Sequence, residues 1–103
     1  METSRSHLRK WEKRLADMAR ETPGILAIVS DAVSNGHQAR GSLYFLFRGR
    51  NADESDISFR LKKEYPGLDL ESWLHEERDY GSVELFLNRY KEITPTARVV
   101  YRR

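Results

Sequence analysis

The stretch that decides the fold is residues 25–48, ILAIVSDAVSNGHQARGSLYFLFR. Asn35-Gly36 supplies the two left-handed positions of a type I′ turn, so it predicts a β-hairpin. The returning arm carries apolar residues on both faces, which predicts a central strand covered on each side. Its two alternating sets are Leu43, Phe45 and Phe47, and Ser42, Tyr44 and Leu46. Gly41, near the start of this arm, is typical of a β-bulge.

An amphipathic helix is predicted before the hairpin. Apolar residues recur three or four positions apart, as on one face of a helix. They are Leu8, Trp11, Leu15, Met18 and Ala19. Ser4 or Ser6 is the expected N-cap, and Pro23-Gly24 ends the helix.

Residues 57–65 fit two structures. Ile57, Phe59 and Leu61 alternate with polar residues, as in a half-buried strand. Ile57, Leu61 and Tyr65 also fit one helical face, with acids before it and two lysines near its end, as the helix dipole favours. We favour the strand because its alternation includes all three strongly apolar residues, and the helix stays open.

Two helices and a closing strand are predicted in the C-terminal half. Asp69 can cap a helix over 69–80, and Ser82 can cap the next. The first apolar stripe is Leu70, Trp73, Leu74 and Tyr80, and the second is Val83, Phe86, Leu87, Tyr90 and Ile93. Thr94-Pro95-Thr96 stops the second helix, and 97–101 reads as a strand with Val99 and Tyr101 on one face.

This order of elements predicts an α+β domain. We expect a small, mainly antiparallel sheet of three to four strands. It would pack against the N-terminal helix and the two helices of the C-terminal half, with the helices on one face.

The length and composition exclude several classes of protein. A chain of 103 residues with no repeat or Gly/Ser-rich linker predicts a single domain over 1–103. Without cysteine, disulfides, thiolate zinc sites and a cysteine nucleophile are excluded. The apolar run 25–29 is too short to span a bilayer, and the charged first twenty residues lack the apolar stretch of a secretory signal. We expect a cytoplasmic protein without membrane contact.

The charges are unevenly distributed. The chain has 18 basic and 16 acidic residues, a net charge of +2. Basic residues dominate 1–20, and arginines stand without acids in 37–50 and 98–103. Acids concentrate in 53–56 and in 69–79, where five acids accompany Arg78. This pattern predicts separate positive and negative faces.

The leading functional hypothesis is contact with nucleic acid, because cations hold phosphates and aromatic rings stack on bases. Residues 36–50 interleave both types. Arg40-Gly41 followed by Tyr44 and Phe47 partly resembles the strand signature of the RNA-recognition motif, with Ser42 in place of an aromatic residue. The hypothesis requires the basic stretches to share one surface. The candidate residues are Arg40, Tyr44, Arg48, Arg50, Arg9 and Lys13.

The second hypothesis is a protein-interaction or inhibitor module that uses the acidic segment 69–80. Trp and Tyr are frequent anchors of protein interfaces. The candidate residues are Trp73, Glu76, Glu77 and Tyr80. The strand over 97–101 could also pair with a second copy as an edge strand, which would give a homodimer.

Catalysis is the third hypothesis. His75-Glu76 begins like a zinc-binding helix, but Asp79 stands where the second histidine is needed. The six glycines occur singly, so no phosphate-binding loop is visible. We therefore expect a binding domain rather than an enzyme, with no metal or cofactor.

Overall fold

The computed structural model describes residues 8–35, 38–49 and 54–103. Its helices are α1 (Lys10–Arg20), α2 (Glu54–Glu64) and α3 (Val83–Ile93). Its strands are β1 (Ile25–Ser30), β2 (Val33–Asn35), β3 (Gln38–Phe47), β4 (Leu68–Glu76) and β5 (Arg98–Arg102), and a 3₁₀ turn (Glu77–Asp79) follows β4. This is the α+β class that the sequence predicts.

β3 is the central strand of the sheet. β1 and β2 pair with one of its edges in antiparallel fashion, and β4 pairs with the other edge in parallel. β5 pairs with the far edge of β1. The order across the sheet is therefore β4–β3–β1–β5, with β2 beside β3 on the same edge as β1. The two outer strands are β4 and β5.

The hairpin forms, but Asn35 is the last strand residue of β2 and pairs with Gln38, so its predicted place in the turn is wrong. Gly41 also has a different role from the predicted one. Ser30 lies opposite Leu43 and Val33 opposite Arg40, so no residue is inserted between β1 and β2. Gly41 has a φ of +150°, and a Cβ there would lie 2.6 Å from the Ala32 Cα. Glycine is needed because the two arms approach closely, which a side chain would prevent. Gly36 of the predicted turn lies outside the described residues.

The helices cover both faces of the sheet, so the prediction of helices on one face is wrong. One apolar cluster joins the sheet to α1 and α2, on what we call the α1–α2 face. A second cluster joins the sheet to α3, on the α3 face. The connection through α2 leads from β3 to its neighbour β4, at one edge of the sheet. The connection through α3 leads from β4 past β3 and β1 to β5, at the opposite edge. Right-handed crossovers in opposite directions place their helices on opposite faces.

The segment 57–65 is helical, so the favoured strand is wrong and the alternative is correct. Ile57 and Leu61 are buried in the α1–α2 face, and Phe59 is 68% exposed. In a strand, Phe59 would share a face with Ile57 and Leu61. The parallel pairing of β3 and β4 also requires a crossover between them, and this helix supplies it.

The segment 69–80 is not a helix; most of it is β4. The spacing of Leu70, Trp73 and Leu74 fits a helical stripe, but Trp73 and Leu74 are exposed. The strand has a continuous parallel register with β3, from Leu68 opposite Ala39 to Glu76 opposite Phe47. The hydrogen bonds to β3 stabilise the strand more than the helical spacing favours a helix. The local sequence pattern cannot show this pairing, because β3 is distant in the sequence.

α1, α3 and β5 form where they are predicted. Arg9 is the N-cap of α1, and the Glu12 carboxylate accepts a hydrogen bond from its backbone N–H. Ser4 and Ser6 lie outside the described residues. Ser82 caps α3 through its hydroxyl oxygen, as predicted. In β5, Val99 and Tyr101 pack in different clusters, because the register with β1 shifts between them.

An ion pair in the interior connects the first helix, α1, to the last strand, β5. The Glu12 carboxylate on α1 is fully buried and lies 2.6 Å from an Arg98 guanidinium nitrogen on β5. The same nitrogen also donates to the Ala32 carbonyl oxygen and lies 3.3 Å from the Ser30 hydroxyl oxygen. Every charged group here has partners, which a buried charge requires.

Gly41→Ala is expected to destabilise the fold by about 2 kcal/mol or more, because the new methyl group meets backbone that cannot move away. Gly24→Ala is the matched control, since nothing lies within 4 Å of a Cβ there. Urea unfolding of both variants measures the difference. Equal midpoints would contradict the close approach at Gly41.

Arg98→Met should destabilise by about 3–5 kcal/mol, because it leaves the fully buried Glu12 carboxylate without its partner. Glu12→Gln should cost less, because Arg98 is partly exposed and keeps its hydrogen bond to the Ala32 carbonyl oxygen. Glu12→Met combined with Arg98→Met removes both charges and should cost less than the two single changes together. Urea unfolding of the single and double variants tests this. Additive losses would show that the two side chains act independently.

Candidate interaction edge

The outer strand β4 has one open edge. It is nine residues long, and among the described residues it pairs only with β3. Strand edges carry rows of backbone N–H and C=O groups that can pair with another chain. An open edge of this length is therefore a surface on which a further strand can add.

The backbone groups on that edge can be identified. The Ala39 N–H donates to the Gly67 carbonyl oxygen, so the Gly67 carbonyl points toward β3. Backbone groups alternate in direction along a strand, with the same period of two as the side chains. The N–H and C=O groups of Leu70, Ser72 and Leu74 therefore face the open edge.

Two large apolar side chains are exposed in the middle of β4. Trp73 is 49% exposed and belongs to the α3 face, where it lies opposite Tyr44 in the register. Leu74 is 41% exposed and belongs to the α1–α2 face. A strand added at the edge would cover apolar surface on both faces of the sheet.

The edge is strongly acidic. Residues 68–79 hold five carboxylates and one guanidinium, that of Arg78. The carboxylates belong to Asp69, Glu71, Glu76, Glu77 and Asp79. Asp69 lies 3.5 Å from Arg40, and Glu76 lies 3.5 Å from Arg78. The side chains of Arg40, Asp69 and Arg78 are largely exposed, and ion pairs of exposed groups are weak in water, so the segment keeps a negative potential.

His75 connects β4 to α3 through a cluster of aromatic rings. The Tyr90 hydroxyl oxygen lies 2.7 Å from the His75 Nε2, and the Tyr80 hydroxyl lies 3.4 Å from the Nδ1. Tyr44 stacks on Tyr90 with ring centroids 4.2 Å apart, and Phe86 packs edge-on against Tyr80 and Tyr90. The cluster fixes the C-terminal half of β4 against α3.

Burial lowers the pKa of His75, and the Arg89 guanidinium acts in the same direction while Asp79 opposes it. Burial also raises the pKa of Tyr90, as does its hydrogen bond with Tyr80. Both groups are therefore uncharged at neutral pH. The neutral imidazole can accept a hydrogen bond from the Tyr90 hydroxyl at Nε2. Its Nδ1–H can donate a hydrogen bond to the Tyr80 hydroxyl oxygen.

The described candidates for nucleic-acid contact are divided between the two faces of the sheet. Arg40 and Tyr44 lie on the α3 face of β3. Arg48 is eight residues after Arg40, which at about 3.3 Å per residue is roughly 26 Å along the extended chain. Arg9 and Lys13 belong to α1, which covers the opposite face. Arg50 lies outside the described residues. Tyr44 has one ring face occupied by Tyr90.

Several of the expected cations have structural partners. The guanidinium of Arg103 donates to the backbone carbonyl oxygens of Ala19, Thr22 and Ile25, and Arg98 holds the buried Glu12. Other arginines pair with carboxylates in Arg14–Glu64, Arg20–Asp17, Arg60–Asp56 and Arg102–Glu84. The acid-free stretches of sequence therefore do not produce a single cationic patch among the described residues.

The predicted protein-interaction residues lie along β4 and the turn after it. Trp73 is exposed, Glu76 and Glu77 are half-buried, and Tyr80 belongs to the His75 cluster. Sequence reasoning missed the open backbone edge and the roles of His75 and Tyr90. His75 and Tyr90 are 15 positions apart, so no local pattern of sequence signals their hydrogen bond.

Comparisons with known proteins identify no relative: no family model, curated protein or solved structure matches the chain. Within the described ranges, no set of three His, Asp or Glu side chains is placed to hold a metal ion. None of the helices described is long and apolar enough to cross a membrane.

His75 should make the stability of the fold depend on pH. Its pKa is lower in the folded than in the unfolded state, so the unfolded chain binds the proton preferentially as pH falls below about 6.5. Stability is expected to fall from there toward the folded pKa. His75→Asn should show a smaller loss of urea midpoint between pH 7.5 and 5.5. If the urea midpoint of His75→Asn falls as much as that of the unchanged protein, the pH dependence comes from other groups.

Proposed function

We propose that this domain is a protein-binding module that takes an extended segment of a partner onto the open edge of β4. Strand addition to a sheet edge is a common mode of peptide recognition, in which the main chain supplies affinity and alternate side chains supply specificity. The observation that carries the proposal is a nine-residue outer strand with Trp73 and Leu74 exposed at its centre.

β4 lacks several features that commonly protect outer strands. Proteins block such edges with proline, bulges or very short strands. β4 contains no proline and pairs with β3 without a register shift. The other outer strand, β5, has five residues, and its register with β1 is interrupted. Of the two outer strands, β4 is the better template for a further strand.

The charges favour a basic partner over a second copy of this chain. Pairing two β4 edges would bring acidic segments together, and like charges opposite each other are unfavourable. A segment rich in Lys and Arg would complement Glu71 and its neighbours. It could also place a cation over the Trp73 ring, an interaction worth about 0.5–1 kcal/mol at an exposed site. Homodimerisation through β5 stays a separate prediction.

Contact with nucleic acid has less support. The exposed ring of Trp73 could stack on a base, but Asp69 and Glu71 on the same face of β4 would repel the phosphates. Tyr44, the predicted stacking residue on β3, packs against Tyr90. The protein-interaction hypothesis is therefore preferred, and nucleic-acid binding becomes an outcome that the experiment below can detect.

Ser72→Pro tests the proposal directly. Proline would remove an N–H that faces the open edge and leave the hydrogen bonds to β3 intact, as edge strands tolerate. Ligands come from a display library of random ten-residue peptides selected on the folded domain. We expect Lys- and Arg-rich sequences whose affinity falls at least tenfold in Ser72→Pro, measured by fluorescence anisotropy.

Ser72→Ala is the matched control, because it keeps the N–H and should bind as the natural protein does. Glu71→Lys, at an exposed position, should weaken the same peptides through charge repulsion. Circular dichroism checks that each variant is folded. Undiminished binding to a folded Ser72→Pro variant would overturn the proposal. Retention of the protein on single-stranded nucleic acid, lost steeply as salt rises, would instead favour the nucleic-acid hypothesis.

A further inference from the structure

A small cavity lies between α2 and β4. Its volume is about 120 Å³. Four leucines supply the apolar part of its lining, and two serines supply part of the polar lining. These residues are Leu43, Leu61, Leu68 and Leu70, with Ser58 and Ser72, and the charged Lys62 and Asp69 complete the lining. The part of the cavity that the four leucines line suits a small apolar group.

The cavity adjoins the open edge of β4. Leu70 and Ser72 line it, and they are also two of the residues whose backbone groups face that edge. Paired residues of neighbouring strands project their side chains to the same face of a sheet. A residue added opposite Leu70 or Ser72 would therefore project on the α1–α2 face, toward the cavity.

We propose that this cavity receives one aliphatic side chain of the bound segment, an inference that rests on the proposed strand addition. The volume is somewhat below that of an apolar cavity of about 150 Å³ known to bind benzene. Val, Ile and Leu suit this space, and Phe, Tyr and Trp are too large.

The two faces of the edge then define a recognition pattern. Alternate residues of a strand point to opposite faces. The aliphatic residue would point to the α1–α2 face, and its immediate neighbours would point to the α3 face beside Glu71 and Trp73. The partner segment is therefore an aliphatic residue flanked on both sides by Lys or Arg.

The test uses peptides selected on the folded domain, as described above. Each position is replaced in turn by Ala, Val, Leu and Phe, and the dissociation constants are measured by fluorescence anisotropy. At one position, affinity should rise about fourfold for each buried CH₂ group, about fifteenfold from Ala to Val. Phe at that position should bind more weakly than Leu.

Ser72→Val fills the cavity from the strand and leaves the backbone edge unchanged. It should remove most of the preference for Val and Leu over Ala, and Ser58→Val should do the same from the helix. Ser72→Ala leaves the cavity open and should keep the preference.

The outcomes separate the two proposals. If peptides bind and Ser72→Pro abolishes binding, but no position discriminates among Ala, Val and Leu, the cavity proposal is overturned and strand addition stands. A preference for Leu that persists in both Ser72→Val and Ser58→Val also overturns it. If no selected peptide loses affinity in Ser72→Pro, both proposals fail.

Discussion

The structure depends on the pairing of β3 along both of its edges. Its antiparallel pairing with β1 and β2 forms the hairpin, and its parallel pairing with β4 requires a helix to carry the chain back between the two strands. Side chains from β3 also enter both apolar clusters, with Phe45 on one face and Leu46 on the other. The positions of α2, β4 and the open edge all follow from this strand.

The open edge of β4 stays acidic because many of the arginines form contacts elsewhere in the fold. Many arginines are engaged elsewhere: Arg98 holds the buried Glu12, and Arg103 binds backbone carbonyl groups near the end of α1. These contacts stabilise the fold, but they also remove cations from the free surface. Among the described residues, the acids along β4 form ion pairs with the largely exposed Arg40 and Arg78, and such pairs are weak in water. A mildly basic chain thus presents an acidic edge, which its net charge does not indicate.

The residues of β4 that we propose for partner binding were partly predictable. Trp73 is a frequent type of interface anchor, and the acids around it are visible in the sequence. Their assignment to a helix was wrong, and with it the expected arrangement of side chains. On a helix, Trp73 and Leu74 would share one face, whereas on β4 they lie on opposite faces of the sheet. The link from His75 to Tyr90 joins a strand to a helix, so only the fold reveals it.

The sequence by itself determined the elements whose signals are local: the existence of the hairpin, the amphipathic α1 and α3, and the two-sided apolar character of β3. Turn chemistry and apolar periodicity act within a few residues, so they can be recognised without a partner. Only the tertiary structure decided that 57–65 is a helix and that 69–76 is a strand. Both segments have apolar spacings that fit more than one structure. For 69–76 the choice was made by hydrogen bonds to β3, which lies 29 positions earlier in the Ala39–Leu68 pairing. That parallel pairing requires a crossover between the strands, which α2 supplies. Long-range pairing of this kind has no counterpart in a local window of sequence.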